Sequence, residues 1–370
     1  MKKVLEFLRG VPITARLSKR AGIPLDRLRR LALGADPTMA EVRMLASALR
    51  VDIGDLTHTS PAGDVASFLF RTTAARADSL TISRLTSKVG YSLDLLGPRE
   101  AATPTWIREF ERGRQTYEEA EGNARRFRNL FLDNEQLGPI LNLPQVSVNE
   151  LGILLFQVAT DKIDGASAFC EGIPFIFLAQ RFLPRMFFTL AHEIGHLIAH
   201  HAPGESFAVI DVAAERPALR KNVAEFYAHS FASCLLMPAR GVALALQQIR
   251  SHQRAPGQAL GDLELLLLSR IYGVSFYVAA RRCEDLELLP RGGAASLDAV
   301  LRKKFGSAEK RAELAGLPPR PQLEFPKIPA PLLAAAIEKV RSGELSIGRA
   351  SEVLGLSVSD LMKVNAPSVN

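Results

Sequence analysis

The sequence predicts a mainly α-helical chain with one small β-sheet, an α+β protein with helical units at both ends. Three observations lead there. Apolar positions recur at helical spacing along most of the chain, behind capping residues and ahead of glycine stops. One short apolar run, Ile173–Leu178, follows Gly172 and reads as a strand. The length of 370 residues suits two or three domains. Apolar residues make up 47% and charged residues 23%, which excludes a disordered chain, a collagen-like repeat and a disulfide-stapled miniprotein.

The elements follow in order. Lys2–Arg9 is a first helix and Ile13–Ala21 a second; Gly22-Ile23 makes a tight turn. Pro24 opens a third helix, Leu25–Leu33, which Gly34 ends. Thr38 caps a fourth, with Glu41 three residues on in a capping-box arrangement and Val42, Leu45, Ala46 and Leu49 as its apolar stripe. Pro61-Ala62-Gly63 starts a linker, and Val65–Leu96 is helical and amphipathic. Trp106–Gly113 reads as the end of a recognition helix or as a connecting helix. Glu118–Leu132, Arg185–His200 and Ala224–Leu236 are helices, the last stopped at Met237-Pro238. Leu151–Val158 has the length of either a buried strand or a helix segment. Leu260–Glu284 is helical with a break at Gly273. Pro318, Pro319, Pro321, Pro326, Pro329 and Pro331 mark a semi-rigid linker or an extended arm. Leu332–Arg341 is a helix, and Leu345–Leu354 and Ser357–Val364 form a helix pair around Gly355, suited to packing or dimerisation.

Charge is unevenly spread. The chain holds 46 Lys/Arg against 39 Asp/Glu, and the first 50 residues alone hold 11 against 4. The remaining residues carry 35 of each, so the whole excess is local and points to an anionic partner there. Cys170, Cys234 and Cys283 are odd in number, far apart and form no C-x-x-C pair, which points to a reducing compartment. No leader peptide is expected from the first residues, which lack a long apolar core, and Glu264 and Arg270 interrupt the most apolar stretch, 263–280. No membrane span is expected, and the expected address is the cytoplasm.

Helix, glycine turn, helix is the local logic of helix-turn-helix DNA binders. Leu17-Ser18-Lys19-Arg20-Ala21-Gly22-Ile23, Gly34, the run Leu45–Asp52 and Asp55-Leu56 resemble the XRE-type helix-turn-helix domain over about residues 3–56. The resemblance implies that Pro24–Leu33 enters a DNA major groove. Family members usually carry Ser, Thr or Gln near the start of this helix, where this chain has Leu25-Asp26-Arg27. Arg27, Arg29, Arg30 and Lys19 are the expected DNA contacts, to guanine edges or phosphates. The other reading is a helical module that binds protein, with solvated arginines.

His192-Glu193-Ile194-Gly195-His196 is an H-E-x-x-H motif inside the apolar run Phe187–Ala191. Residues four apart on a helix share a face, so both imidazoles can hold one metal. Glu193 can serve as general base for a water at that metal. Two histidines and a glutamate on a buried helix are costly unless paired or bound to metal. A catalytic zinc wants a third protein ligand, and Glu205, Asp211, Glu215, Glu225 and His229 follow downstream. Glu225 is best placed, on a helix that can fold back as a hairpin.

The matching residues extend further. Asp164-Gly165, Gly172-Ile173-Pro174, Phe188–His196, Glu225-x-x-Ala228-x-x-Phe231-Ala232-x-x-Leu235-Leu236-Met237-Pro238, Tyr272–Ser275 and Arg281-Arg282 are similar to the ImmA/IrrE family of zinc metallopeptidases, over residues 118–290. The resemblance implies a zincin-like domain with His192, His196 and Glu225 as zinc ligands and Glu193 as base; manganese or iron also suits the set. His229 stands where the family has Asn or Asp. Four residues from Glu225, it can support that ligand, stabilise an oxyanion, replace a ligand or sit satisfied beside the core. Tyr227 is a weaker oxyanion candidate on another face, His200 lies one turn beyond His196, and Cys234 reads as core.

The expected organisation is an XRE-type domain at 1–60, a helical connector at 61–117, the metallopeptidase domain at 118–290, a proline-rich linker or arm at 291–331 and a helical, helix-turn-helix-like unit at 332–370. The expected function is a DNA-binding regulator with a zinc-dependent endopeptidase that cleaves a protein, plausibly a transcriptional repressor in a stress, phage or mobile-element response. The strand Ile173–Leu178 is expected to hold substrate by strand addition. The alternative is a regulator or antitoxin whose metal domain does not catalyse. A palindromic operator would call for a homodimer.

Overall fold

Three apolar cores organise the described residues of the computed structural model: 13–49, 79–97, 104–110, 113–132, 137–200, 206–212, 222–253 and 259–365. Helices α1 (Ala15–Ala21), α2 (Leu25–Ala32) and α3 (Met39–Leu49) close the smallest core around Leu28, Leu31 and Leu45. Thr14 caps α1 by accepting the Leu17 N–H at 3.2 Å. Gly22 turns the chain at φ 65°, a left-handed conformation that a side chain resists. The Ser18 hydroxyl then donates to the Ile23 carbonyl at 2.7 Å. Pro24 stands before α2 as its cap. The expected capping box is present: the Thr38 N–H donates to Glu41 at 2.7 Å, and the Glu41 N–H donates to Thr38 Oγ1 at 3.2 Å. The predicted Lys2–Arg9 helix and residues 51–56 lie outside the described residues, as does the linker at 61–63.

The sheet has strands β1 (Leu154–Val158), β2 (Ile163–Cys170), β3 (Ile173–Ala179) and β4 (Phe207–Val212) in the order β1-β3-β2-β4. β1 runs parallel to β3; the other two pairings are antiparallel. Both faces are covered, so β3 reads as a continuous apolar run. Ile176 and Leu178 join the largest core, and Phe175 and Phe177 join the core on the other face. The strand expected to accept a substrate is therefore bonded along both edges. That expectation is corrected: β3 has no edge to offer, and substrate addition belongs elsewhere.

On the largest core, α5 (Tyr117–Phe131), α6 (Leu143–Asn149), α7 (Leu183–His200), α8 (Val223–Leu236), α9 (Ala239–Gln253), α10 (Asp262–Ile271) and α11 (Phe276–Asp285) follow the 3-10 turn Thr105–Glu109. The turn replaces the helix end expected at 106–113. Trp106 is buried there, and its indole N–H donates to the Leu151 carbonyl at 2.9 Å, so it anchors packing. On the opposite sheet face lies α4 (Ser79–Leu96), with α14 (Ala330–Arg341) packed beside it and α15 (Ile347–Leu354) and α16 (Val358–Asn365) following.

The segments expected to connect domains do more than connect. Within 291–331, residues 293–305 and 308–314 form helices α12 (Gly293–Phe305) and α13 (Ala308–Leu314), which bury Leu301 and Ala312 in the largest core. Only the stretch after them is extended, and it too is fastened: Leu323 is buried, and Arg320 donates to the Val274 carbonyl at 2.8 Å and pairs with Glu309 at 2.6 Å. The prolines set its extended backbone without freeing it from the core. Within 61–117, α4 and the Trp106 turn likewise complete cores. Among the described residues no single helix is long and apolar enough to cross a membrane.

Candidate metal centre

Helices α7 and α8 carry the site, and small residues let them meet. A Cβ at Gly195 would lie 2.9 Å from the Ala228 Cα, so only glycine permits this approach. Ala228 is one turn from Glu225, and the contact brings that carboxylate onto the histidine face. Asn222 caps α8 by accepting the Ala224 N–H at 3.0 Å, which starts the helix just ahead of Glu225. A carboxylate in a first helical turn sits at the positive end of the helix dipole. At the far end, two buried guanidinium groups hold carbonyls the helix leaves open. Arg128 Nε donates to the Leu235 carbonyl at 2.7 Å, and Arg282 Nε to the Met237 carbonyl at 2.8 Å.

The His192 and His196 Nε2 atoms face each other at 3.0 Å. Glu225 lies 3.3 Å from each. The predicted trio thus converges, and a second of the downstream candidates joins it. Asp211 of β4 lies 2.9 Å from His192 Nε2 and 3.7 Å from His196 Nε2. One donor atom from each of His192, His196, Asp211 and Glu225 fits within 4.8 Å of the others. The signal available for Asp211 was the run Phe207-Ala208-Val209-Ile210-Asp211-Val212, a strand-like segment with a single carboxylate. Glu205 and Glu215 lie outside the described residues.

Glu193 is wholly buried, and neither of its oxygens has a well-formed hydrogen bond, although the neighbouring Ser167 hydroxyl favours its charged form. β2 passes directly over it: a Cβ at Gly165 would come 2.3 Å from Glu193 Oε1. Burial, reinforced by Asp211, pushes the Glu193 carboxyl up to about 8. Burial works to lower both histidines, but Asp211 and Glu225 outweigh it, holding His192 well above its usual value and His196 at about 9. Burial likewise works against ionised Asp211 and Glu225, yet the histidines hold Asp211 far below the usual carboxylate range and Glu225 at about 2. Two imidazoles and two carboxylates aimed at one point, beside a wholly buried glutamate, suit a divalent cation. His196 Nδ1 also lacks a partner.

His229, half-buried one turn after Glu225, has its ring centroid 5.1 Å from that of Phe188 and 6.4 Å from that of His192. His200 stacks on His196 at 5.3 Å, and burial, with the His196 charge, lowers it to about 4, so it is neutral. Tyr227 faces away, accepting from Asn123 Nδ2 at 2.8 Å. Cys170, Cys234 and Cys283 are free and buried.

The four predicted DNA contacts divide. Lys19, Arg29 and Arg30 are exposed, Arg29 lying 3.4 Å from Asp26. Arg27 is otherwise engaged: its Nε donates to Glu41 at 2.6 Å and its Nη2 to the Asp36 carbonyl at 2.9 Å. Its guanidinium braces α2 against α3, so of the four expected contacts it is the one already engaged within the protein.

Residues 148–284 match the peptidase family model described as the IrrE N-terminal-like domain. The match runs from α6 to α11 and includes every residue of the four-donor cluster and Glu193. This segment is a metallopeptidase-like domain. Helix α5, which packs on α8 through Phe127 and Phe231, lies ahead of the match. No curated protein matches the chain.

Proposed function

We propose that the protein is a DNA-binding regulator with a zinc-dependent endopeptidase domain, which cleaves a repressor or another partner protein in a stress, phage or mobile-element response in the cytoplasm. The observation that carries the enzymatic half is Glu193: a wholly buried carboxylate with no well-formed hydrogen bond, next to a histidine of the cluster. Residues that only scaffold a metal have no need of it. His192, His196 and Glu225 would hold the cation, which would supply a Lewis acid for a carbonyl and for water. Glu193 takes the water's proton and passes it to the leaving amine. His229 donates to the oxygen that gains charge. The regulatory half rests on the local excess of basic residues and on the exposure of Lys19, Arg29 and Arg30 beside the Gly22 turn.

Glu193→Gln is expected to keep its metal, measured by elemental analysis, and to lose cleavage of the partner. Full residual proteolysis would remove the proposed base. A second reading, a regulator or antitoxin with a non-catalytic metal domain, is favoured by one observation: four protein donors converge where a catalytic zinc has three.

A further inference from the structure

Peptide hydrolysis at such a centre needs two openings. One is a metal position not taken by protein. The other is a sheet edge beside the base, along which an extended peptide lies by backbone pairing. In this chain both places are filled, and by the same element.

The sheet edge next to Glu193 belongs to β2, since Gly165 is the residue in close approach to that carboxylate. β4 pairs antiparallel along that edge, from Phe169↔Phe207 to Ile163↔Val212. The pairing is irregular between Ile163 and Gly165, where Gly165 faces Asp211. So the residue of β4 opposite the closest approach to the base is the one whose carboxylate reaches both histidines. β4 is also well seated. Phe207 stacks on Phe169 at 6.3 Å, and Ala208 is buried against the opposite sheet face.

We infer that β4 is a built-in stand-in for substrate: it occupies the strand-addition edge of β2 and supplies Asp211 as a fourth metal ligand, so that an extended polypeptide segment must replace β4 before the site can act. This rests on the metallopeptidase reading and deepens it. It names the substrate class as an extended segment able to pair with β2. It also reconciles the buried base with the closed ligand set, because one displacement opens the sheet edge and the metal position together.

The test uses the full chain loaded with cobalt(II) and acetohydroxamic acid as probe, followed by visible absorption. The wild-type spectrum is expected to stay unchanged at a concentration that saturates Asp211→Ala. That variant is expected to bind the probe and to lose metal affinity by at least about tenfold in chelator competition. The double variant Ala208→Pro/Val209→Pro keeps Asp211 but removes two consecutive N–H groups, one of which must point at β2. It is expected to respond as Asp211→Ala does. A wild-type spectrum that shifts as readily as the variant's would overturn the inference and leave the metallopeptidase reading standing. A wild-type chain that takes up no cobalt or zinc would overturn both. If Asp211→Ala fails to fold, the double variant sets the probe concentration, and a wild-type spectrum that shifts at any probe concentration still overturns the inference.

Discussion

In the first three helices acid meets base at the surface, and in the centre acid meets base inside the protein. Glu41 is held low, to about 2, chiefly by its hydrogen bond from Arg27, and the pair braces two short helices while remaining open to water. His196 and Glu193 have no exposed surface at all, and burial acts on both of them alongside the charges around them. The difference is one of solvent. Water screens the first pair and leaves it a modest brace. Burial makes the second cluster costly unless a cation completes it. A pairing of like residues is therefore architecture in one region and chemistry in the other.

The largest expected effect comes from breaking the inner cluster through its backbone. Gly195→Val places side-chain atoms against Ala228 Cα and forces α7 from α8. A loss of about 3 kcal/mol or more is expected in denaturant unfolding, with metal binding lost because Glu225 moves off the histidines. The corresponding surface change, Arg27→Ala, is expected to leave the metal content unchanged.

Metal itself is the next lever. Zinc at about 100 times its dissociation constant is expected to stabilise the chain by about 2.7 kcal/mol, read as a rise in unfolding temperature that a chelator reverses. An unfolding temperature indifferent to both would show that the centre is not a cation site.

Protons compete for the same place. In the metal-free chain His196 is raised to about 9 from an ordinary 6.5, and Glu193 to about 8. A group raised on folding stabilises below its unfolded pKa and loses that contribution as pH climbs through the folded value. Metal-free stability is therefore expected to fall between pH 4.5 and 9, first through Glu193 and then through His196, while metal affinity rises between pH 6.5 and 9 as the imidazoles give up protons. Calorimetry in buffers of different ionisation enthalpy would count those protons. The surface pair predicts no such trend, because Glu41 is lowered and loses its contribution only in acid.

The smallest effect sharpens the outer region. Arg30→Ala is expected to reduce the salt slope of DNA binding by about one, with binding weakened on every sequence. Arg27→Ala is expected to leave that slope unchanged, since its guanidinium is spent on Glu41 and Asp36. Equal slopes for the two variants would contradict the division drawn between them.

Much of the fold and part of the site were legible in order along the chain. The capping box at Thr38, the turn at Gly22, the H-E-x-x-H helix, the stop after Leu236 and the strand at 173–179 depend on neighbours within a turn or two, and local physics writes them into the residues. Glu225 was reachable because the helix period and the motif together mark a hairpin. What stayed hidden depends on distance in sequence. Arg27 reads as a free cation until α3 brings Glu41 to it. The stretch 293–314 reads as the start of a linker until the core supplies the apolar surface its helices cover. Asp211 is one carboxylate among several until β4 pairs with β2.

By itself, the sequence determined most of the helices and the H-E-x-x-H pattern that places His192, Glu193 and His196 on one of them, because each is a local pattern with a local cause. Only the tertiary structure decided which carboxylates join them and which sheet edge is free. Strand order and ligand closure are set by packing between segments far apart in the chain, and no spacing along the chain encodes them.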